Sequence, residues 1–233
     1  MKEKMIIERK YNKEFCKAID KIVVKIHSQN ENSGAKLFVF NGAGKEAGTT
    51  TVAKNVAVSL AASGWKTAFV DCDLRNKNKE SEEGESEAAS LSALSDSGKE
   101  DYERIIRSTD IENLDYVCAG SEIDNPVQLL CSNIMKKFIL YLRDKYDYVI
   151  LDSTSVNESN DIEILLPYID KYLFVVSLNK TKKKEFASAR IQLADFEDKY
   201  MGVVVNNMEI TSFGRNKDKS ARKSKQFKNK GSR

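Results

Sequence analysis

The chain has 233 residues, of which 41% are hydrophobic and 31% charged, and its formal net charge is +3. This length and hydrophobic content predict one sizeable core rather than two domains, and the apolar runs are too short to span a bilayer. Four scattered cysteines without a CxxC pair and a single histidine exclude a disulfide scaffold, a histidine-based catalytic triad and most zinc sites.

The N-terminal part of the chain is predicted to be a helical arm. Apolar residues recur at helical spacing between charged ones at Phe15, Ile19, Ile22, Val23 and Ile26. Polar residues and a glycine predict a linker or turn over 28–34. We therefore expect an arm and linker over residues 1–34 and a main domain over 35–213.

Strands and helices alternate through the main domain. Short apolar runs predict strands at 36–40, 67–70, 114–118, 148–151, 172–177 and 202–205. Amphipathic patterns predict helices at 50–63, 127–144 and 182–199. Such alternation is typical of a doubly wound, mostly parallel α/β sheet with helices on both faces. Ligands of these folds bind at the carboxyl ends of the strands.

Two segments have a composition unlike the rest. Residues 76–100 are polar, with almost no large apolar side chains, which predicts a mobile acidic loop with one short helix near 91–94. Residues 215–233 hold nine Lys/Arg and one acid, a net charge of +8, so the remaining chain carries −5. We expect a disordered basic tail over 214–233 that is either solvated or lies on anionic lipid, and binding to nucleic acid is less favoured.

A glycine-rich loop separates the first strand of the main domain from its first helix. Its sequence, GAGKEAGTTT over 42–51, has the spacing of a phosphate-binding P-loop. In such loops backbone N–H groups hold the phosphates, a lysine neutralises them and a hydroxyl binds Mg²⁺. Thr50 fills the hydroxyl position, but Thr49 stands where the lysine belongs, and Lys45 is the candidate substitute. For the loop alone, a turn that binds nothing is the alternative.

Aspartates follow two of the predicted strands. Asp71 and Asp73 end the strand at 67–70, and Asp152 ends the strand at 148–151. A single aspartate at such a place can be a simple cap. Three of them after a loop of P-loop length indicate a site that holds Mg²⁺ and its waters, because the carboxyl ends of parallel strands share one edge of the sheet.

Together these motifs resemble the bacterial tyrosine kinases of capsular and exopolysaccharide synthesis. That family belongs to the deviant P-loop ATPases, as do chromosome-partition and septum-site ATPases. The resemblance covers roughly residues 8–214 and rests on VDCDLR at 70–75, TDIENLDY at 109–116, NPVQLL at 125–130, YDYVILD at 146–152 and GVVVNN at 202–207.

The resemblance implies a site for ATP or ADP with Mg²⁺. Thr50, Asp73 and Asp152 would lie near the metal, and Asp71 or Asp73 would be the catalytic residue that assists an acceptor tyrosine. Asn206 would lie near the base. The nucleotide contacts in the loop would be Gly44, Lys45, Gly48, Thr49, Thr50 and Thr51. The resemblance also implies a membrane-embedded regulator of polysaccharide chain length as partner. We expect a cytoplasmic protein, peripheral at the inner face of the membrane.

The loop and the strand after it depart from the family's pattern. Thr49 replaces the lysine, and Glu46 places a negative charge where the family has a glycine. After Asp152 the family has Thr-Pro-Pro, whereas this chain has Ser-Thr-Ser over 153–155.

The acceptor and assembly regions depart as well. None of the nine tyrosines lies beyond Tyr200, where the family carries a tyrosine cluster. The family's ring-forming helix has Glu-x-x-Arg-x-x-Arg, and here Glu14 is followed by Lys17 and Asp20. The reversed charge at Asp20 would weaken the contacts of a homo-oligomer.

These departures predict a degenerate, pseudokinase-like member of the family. It would bind nucleotide, have weakened or lost phosphotransfer and serve a regulatory role in polysaccharide synthesis and export. An active tyrosine autokinase in which Lys45 has taken over is the alternative. A partition-type ATPase switch that binds DNA or membrane is the second alternative.

Overall fold

A computed structural model describes residues 13–75, 89–94, 101–120, 123–178 and 180–207. Seven strands in these ranges form one sheet: β1 (Leu37–Gly42), β2 (Thr67–Asp71), β3 (Arg107–Ser108), β4 (Leu114–Val117), β5 (Tyr148–Ser153), β6 (Lys171–Ser177) and β7 (Tyr200–Asn206). Their order is β3-β4-β2-β5-β1-β6-β7, and all pairs are parallel except β3 with β4. The glycine-rich loop after β1 therefore leaves the sheet between β5 and β6, away from both edges.

The described ranges hold six α-helices: α1 (Lys13–Ser33), α2 (Thr49–Ala62), α3 (Pro126–Leu130), α4 (Asn133–Lys145), α5 (Asp161–Leu165) and α6 (Lys183–Gln192). Short 3-10 helices lie at Leu91–Ala93, Tyr102–Ile105, Leu166–Tyr168 and Ala194–Lys199. None of the described helices combines the length and apolar character that a membrane crossing requires.

Helices cover both faces of the sheet because side chains alternate along each strand. Leu37 and Val39 of β1 lie in a core with the buried side chains of α4 and α5. Phe38 and Phe40 point to the opposite face and lie in a core with α1 and α2. The central strands are buried on both faces, as parallel strands must be. The predicted doubly wound α/β fold is thereby confirmed.

All six predicted strands are present. The additional strand β3 has two residues, too few for an alternating pattern to predict it. It pairs antiparallel with β4 at the edge of the sheet.

The predicted linker at 28–34 is wrong over most of its length, because α1 continues to Ser33. Its polar side chains lie on the outer part of the helix, and the chain leaves it only at Gly34, where φ is +70°. The helix packs on the main domain, since Ile19 and Ile26 are buried in the core on the α2 side.

The single helix predicted at 127–144 is wrong, because the chain forms two helices there. The Ser132 side chain accepts a hydrogen bond from the Met135 backbone N–H (3.1 Å) and caps α4, which separates it from α3. The helix predicted at 182–199 likewise ends at Gln192, and a 3-10 helix follows.

Part of the predicted mobile acidic loop is anchored. Leu91 is buried, and its backbone N–H donates to the Cys118 carbonyl at 2.8 Å, while Ser92 N–H donates to the Ala119 carbonyl at 3.0 Å. The 3-10 helix at Leu91–Ala93 confirms the predicted short helix. The rest of the predicted loop, the first twelve residues and the predicted basic tail lie outside the described residues.

Candidate nucleotide-binding site

The glycine-rich loop ends in Gly48, the residue before α2. Its φ is +82°, a left-handed conformation that favours glycine, and a Cβ there would lie 2.2 Å from Asn206 Nδ2. No side chain caps the helix at this residue. The first N–H groups of an α-helix lack intrahelical partners and carry partial positive charge. This N-terminus is thus suited to an anion such as phosphate.

Asn41 fixes the loop to the neighbouring strand end. Its side chain is fully buried and donates to the Thr154 carbonyl (2.6 Å) and to Ser153 Oγ (2.8 Å). Asn41 Oδ1 accepts from the Val156 backbone N–H at 3.1 Å. The end of β1 and the segment after β5 are therefore held together at the base of the loop.

The predicted hydroxyl and strand-end aspartates come together beside this loop. Thr50 Oγ1 donates to Asp152 Oδ2 at 2.5 Å, and Asp152 is paired in register with Asp71 on the adjacent strand. Both aspartates are buried. Thr154 Oγ1 donates to Asp73 Oδ1 at 2.8 Å, and the Asp73 backbone N–H donates to Asp71 Oδ1 at 3.0 Å.

The donor set fits magnesium better than a soft metal. In the described residues no cluster of three or more His, Cys, Asp and Glu side chains could hold a metal ion by itself. Thr50, Asp152 and Asp73 offer oxygen atoms only. Mg²⁺ prefers oxygen, keeps several waters and is usually held by one or two carboxylates together with substrate phosphates. An open oxygen set next to a helix N-terminus is such an arrangement.

Arg75 ties the segment after β2 to α5. Its Nε and guanidinium Nη2 donate to the two carboxylate oxygens of Asp161 at 2.7 and 2.8 Å. Asp161 is fully buried, and hydrogen bonding to it raises the pKa of Arg75 above its ordinary value. This bidentate pair anchors the chain two residues beyond Asp73 and so restrains that carboxylate.

The lysine in the loop does not face the loop interior. The Lys45 side chain is 80% exposed, and its Nζ pairs with Glu158 at 3.1 Å. The next residue, Glu46, has φ +51°, in the left-handed region that favours glycine. Its carboxylate accepts a hydrogen bond from Lys180 Nζ, and this bond lowers the pKa of Glu46.

The threonine that replaces the P-loop lysine packs against the base of the loop. A Cβ placed on Gly42 would lie 3.0 Å from Thr49 Oγ1. Position 49 therefore contributes a hydroxyl and no positive charge. Gly44 is buried, whereas Thr51 is exposed and its carbonyl accepts from Asn55 Nδ2 at 2.8 Å.

Asn206, predicted near the base, lies at the side of the loop. Its Nδ2 donates to the Ala47 carbonyl at 3.0 Å. The end of β7 thus contacts the phosphate loop directly. Its role toward a base stays a prediction.

Three residues at the site were missed from the sequence. Asn41 could not be predicted as a site residue, because the sequence does not distinguish a buried asparagine at a strand end from a turn residue. Ser155 stands in the altered Ser-Thr-Ser segment, and its buried Oγ has no hydrogen-bond partner within the described ranges. Lys180 follows β6 in a lysine-rich stretch, and cations at the carboxyl end of a parallel strand could have indicated it.

Comparisons with known proteins show which family the chain resembles. Residues 37–180, more than half of the chain, match the family model described as an AAA domain. The chain is 30% identical over 207 residues to the tyrosine-protein kinase CpsD of Streptococcus pneumoniae, covering 85% of this chain and 88% of the relative. It is 26% identical to the putative tyrosine-protein kinase CapB of Staphylococcus aureus, with coverages of 78% and 79%.

A solved structure shows the same fold. The crystal structure of the chimerical protein CapA2B2 superposes with a TM-score of 0.76 at 26% sequence identity, over 86% of this chain and 88% of that one. The chain therefore belongs to the bacterial tyrosine-kinase family of P-loop ATPases, as its motifs predicted.

Proposed function

We propose that this member of the bacterial tyrosine-kinase family binds Mg·ATP with weakened or lost phosphotransfer and acts as a regulatory component of capsular or exopolysaccharide synthesis. The observation that carries the proposal is a contrast within one site. The hydroxyl and carboxylates for the metal are assembled around Thr50 and Asp152, whereas position 49 supplies no cation.

Nucleotide binding is supported by the parts that remain. The N-terminus of α2 after Gly48 would accept the phosphates through its free N–H groups. Thr50 and Asp152, with Asp73 nearby, would hold Mg²⁺, which when bound neutralises phosphate charge. Asp71 and Asp73 are the groups available to accept a proton from an acceptor hydroxyl, and the hydrogen bonds from Thr154 and from the Asp73 backbone orient them.

Weak transfer is supported by the charges around the loop. Phosphoryl transfer depends on positioned cations that neutralise charge as it develops on the transferred group. The loss of one such preorganised contact costs roughly 3–4 kcal/mol in the transition state. Lys45 is directed toward Glu158, and Glu46 adds a negative charge to the loop rim. Neither residue offsets the loss at Thr49.

The acceptor and assembly features support a regulatory rather than a self-phosphorylating protein. All nine tyrosines lie at or before Tyr200. On α1, Glu14, Lys17 and Asp20 are exposed, so the reversed charge at Asp20 stands on a surface open to another subunit. We propose homo-oligomeric contacts weaker than those of a helix with two arginines.

The family supports a proposal for the partner and for the cellular location. We propose a membrane-embedded regulator of polysaccharide chain length as partner, and a cytoplasmic protein that reaches the inner face of the membrane through it. The nine cations of residues 215–233 would add attraction to anionic lipid of about 1 kcal/mol for each cation close to the surface.

Two measurements on the full chain test the proposal. Calorimetric titration with Mg·ATP should show saturable binding, and its complete absence would remove the nucleotide-binding function. Incubation with labelled ATP and Mg²⁺ should give little or no phosphotyrosine. Vigorous transfer to tyrosine that vanishes in Asp73→Ala would establish the active autokinase instead.

A further inference from the structure

The loop between β6 and α6 packs directly on the phosphate loop. A Cβ placed on Gly44 would lie 3.3 Å from Glu185 Oε2 and 3.4 Å from Thr181 Cγ2. Glu185 Oε2 also accepts from the Lys182 backbone N–H at 2.8 Å, and Thr181 Oγ1 accepts from the Ser177 N–H at 3.0 Å. These bonds give the segment around Lys180 a defined position against the site.

Lys180 is the cation that this loop brings to the rim of the phosphate loop. Its Nζ donates to Glu46 Oε2, two residues before Gly48 and the N-terminus of α2. Lys45 sits one residue from Glu46 but pairs outward with Glu158. Of these two lysines, Lys180 is the one that pairs with a residue of the phosphate loop itself.

Glu46 holds Lys180 by an interaction that phosphate could replace. The Glu46 carboxylate is 76% exposed and carries its charge readily, since its pKa is lowered by the hydrogen bond from Lys180. A nucleotide phosphate is a stronger acceptor for an ammonium group than one exposed carboxylate, because it carries more charge and more acceptor oxygens. The Glu46 backbone has a φ of +51°, a left-handed conformation that most residue types disfavour.

A buried hydroxyl gives independent support for a ligand here. Ser155 Oγ is buried and has no hydrogen-bond partner within the described ranges. Ser155 Cβ would lie 3.6 Å from a Cβ on Gly42, at the base of the same loop. Buried polar atoms are nearly always paired, so an unpaired one beside a phosphate loop indicates a ligand or water that completes it.

We propose that Lys180 supplies the phosphate-binding cation that position 49 lacks, and that Glu46 pairs with this lysine until nucleotide phosphates displace the carboxylate. The inference rests on the proposed nucleotide binding and adds a residue from outside the phosphate loop to it. Lys180 thereby contributes to ATP binding. The strength of its ion pair with Glu46 determines how strongly the phosphates must bind to displace the Glu46 carboxylate.

Titration calorimetry with Mg·ATP tests this on the full chain and four variants. Lys180→Met should weaken binding about tenfold, the usual effect of losing one charge-assisted contact. Glu46→Gln should tighten binding severalfold, because the competing carboxylate charge is gone. The matched controls are Lys184→Met, which removes an exposed lysine of α6, and Glu197→Gln, which removes a carboxylate paired with Arg190.

The outcomes separate this inference from the proposed function. Binding by all five proteins with equal affinity would overturn the role of Lys180 and leave nucleotide binding intact. Failure of all five to bind would overturn both. Because Lys180 and Glu46 are more than half exposed, the variants should keep the fold, which circular dichroism spectra of the same samples verify.

Discussion

Thr50 Oγ1 donates a hydrogen bond of 2.5 Å to Asp152 Oδ2, which ties the first turn of α2 to the carboxyl end of β5. The two residues lie 102 positions apart in the chain. They meet because β5 lies next to β1 in the sheet, so the loop after β1 and the end of β5 share one edge. This pair is the centre of the proposed magnesium site.

Asp152→Asn should separate metal-dependent from metal-independent nucleotide binding. The substitution keeps the size of the side chain and an acceptor for Thr50 but removes the charge that would face Mg²⁺. We expect affinity for Mg·ATP to fall about tenfold or more. Affinity for ATP in excess chelator should not fall, because a negative charge near the phosphates has been removed.

Calorimetry with and without Mg²⁺ measures both affinities. Asp195→Asn, at an exposed position after α6, is the control for removing one carboxylate. An equal loss of affinity in the presence and absence of Mg²⁺ would argue against a metal role for Asp152.

Arg75→Ala should lower the free energy of unfolding by about 2–3 kcal/mol. The change leaves Asp161, which is fully buried, without its bidentate partner, and an uncompensated buried charge is costly. The figure is below that for a fully buried pair because the Arg75 side chain is 37% exposed. Urea unfolding measures it.

The double variant Arg75→Ala with Asp161→Asn is the control for this pair. It removes the stranded charge and should be more stable than Arg75→Ala alone. If the single variant is as stable as wild type, the pair does not anchor the segment after β2.

Tyr172→Phe should stabilise the protein, and more so in alkali. The Tyr172 hydroxyl is buried without a hydrogen-bond partner in the described part of the chain, and burial raises its pKa to about 12. An unfolded tyrosine has a pKa of about 10, so the folded state binds the proton more tightly. The contribution of this proton to the stability of the folded state is complete below pH ~10, and it is lost as the pH rises toward ~12.

Urea unfolding at pH 8 and pH 11 measures this effect. Tyr172→Phe should gain up to about 1 kcal/mol at pH 8 and lose less stability at pH 11 than wild type does. Tyr148→Phe is the matched control, since its hydroxyl bonds His27 Nδ1 at 2.7 Å and its removal should cost about 1 kcal/mol. A loss of stability in Tyr172→Phe at pH 8 would mean that its hydroxyl has a partner.

Lys45→Ala should change Mg·ATP affinity by less than about threefold. The side chain is largely exposed and paired with Glu158, and exposed pairs of this kind contribute little. Calorimetry beside Lys180→Met compares the two lysines directly. A greater loss in Lys45→Ala than in Lys180→Met would restore Lys45 as the substitute for the missing P-loop lysine.

The fold was predictable because the central strands are short apolar runs in the sequence. Once β1, β2 and β5 were assigned, parallel packing required Asp71, Asp73 and Asp152 to share an edge with the loop. The positions at which helices end and new ones begin were harder to predict. Ser132 caps a second helix because the chain turns there. A serine inside an apolar pattern does not by itself predict such a turn.

The charge arrangement at the loop rim could not be predicted from the sequence. Glu46 and Lys180 lie 134 positions apart, and no local pattern relates them. The sequence showed the negative charge at Glu46, and Lys45 was the candidate substitute for the lysine missing at Thr49. The structure pairs Lys45 with Glu158 and brings Lys180 to Glu46 from the loop after β6.

A retained nucleotide site with no lysine at position 49 should transfer phosphate poorly, even though Lys180 helps to bind the phosphates. The decisive measurement is the incorporation of labelled γ-phosphate into tyrosine at saturating Mg·ATP. It compares wild type, Thr49→Lys and the control Ala62→Lys, which adds the same charge at the exposed last residue of α2. We predict little or no incorporation by wild type and by Ala62→Lys, and a rate about 10²-fold or more higher for Thr49→Lys. Incorporation by wild type as fast as by Thr49→Lys would show that the missing lysine does not limit transfer.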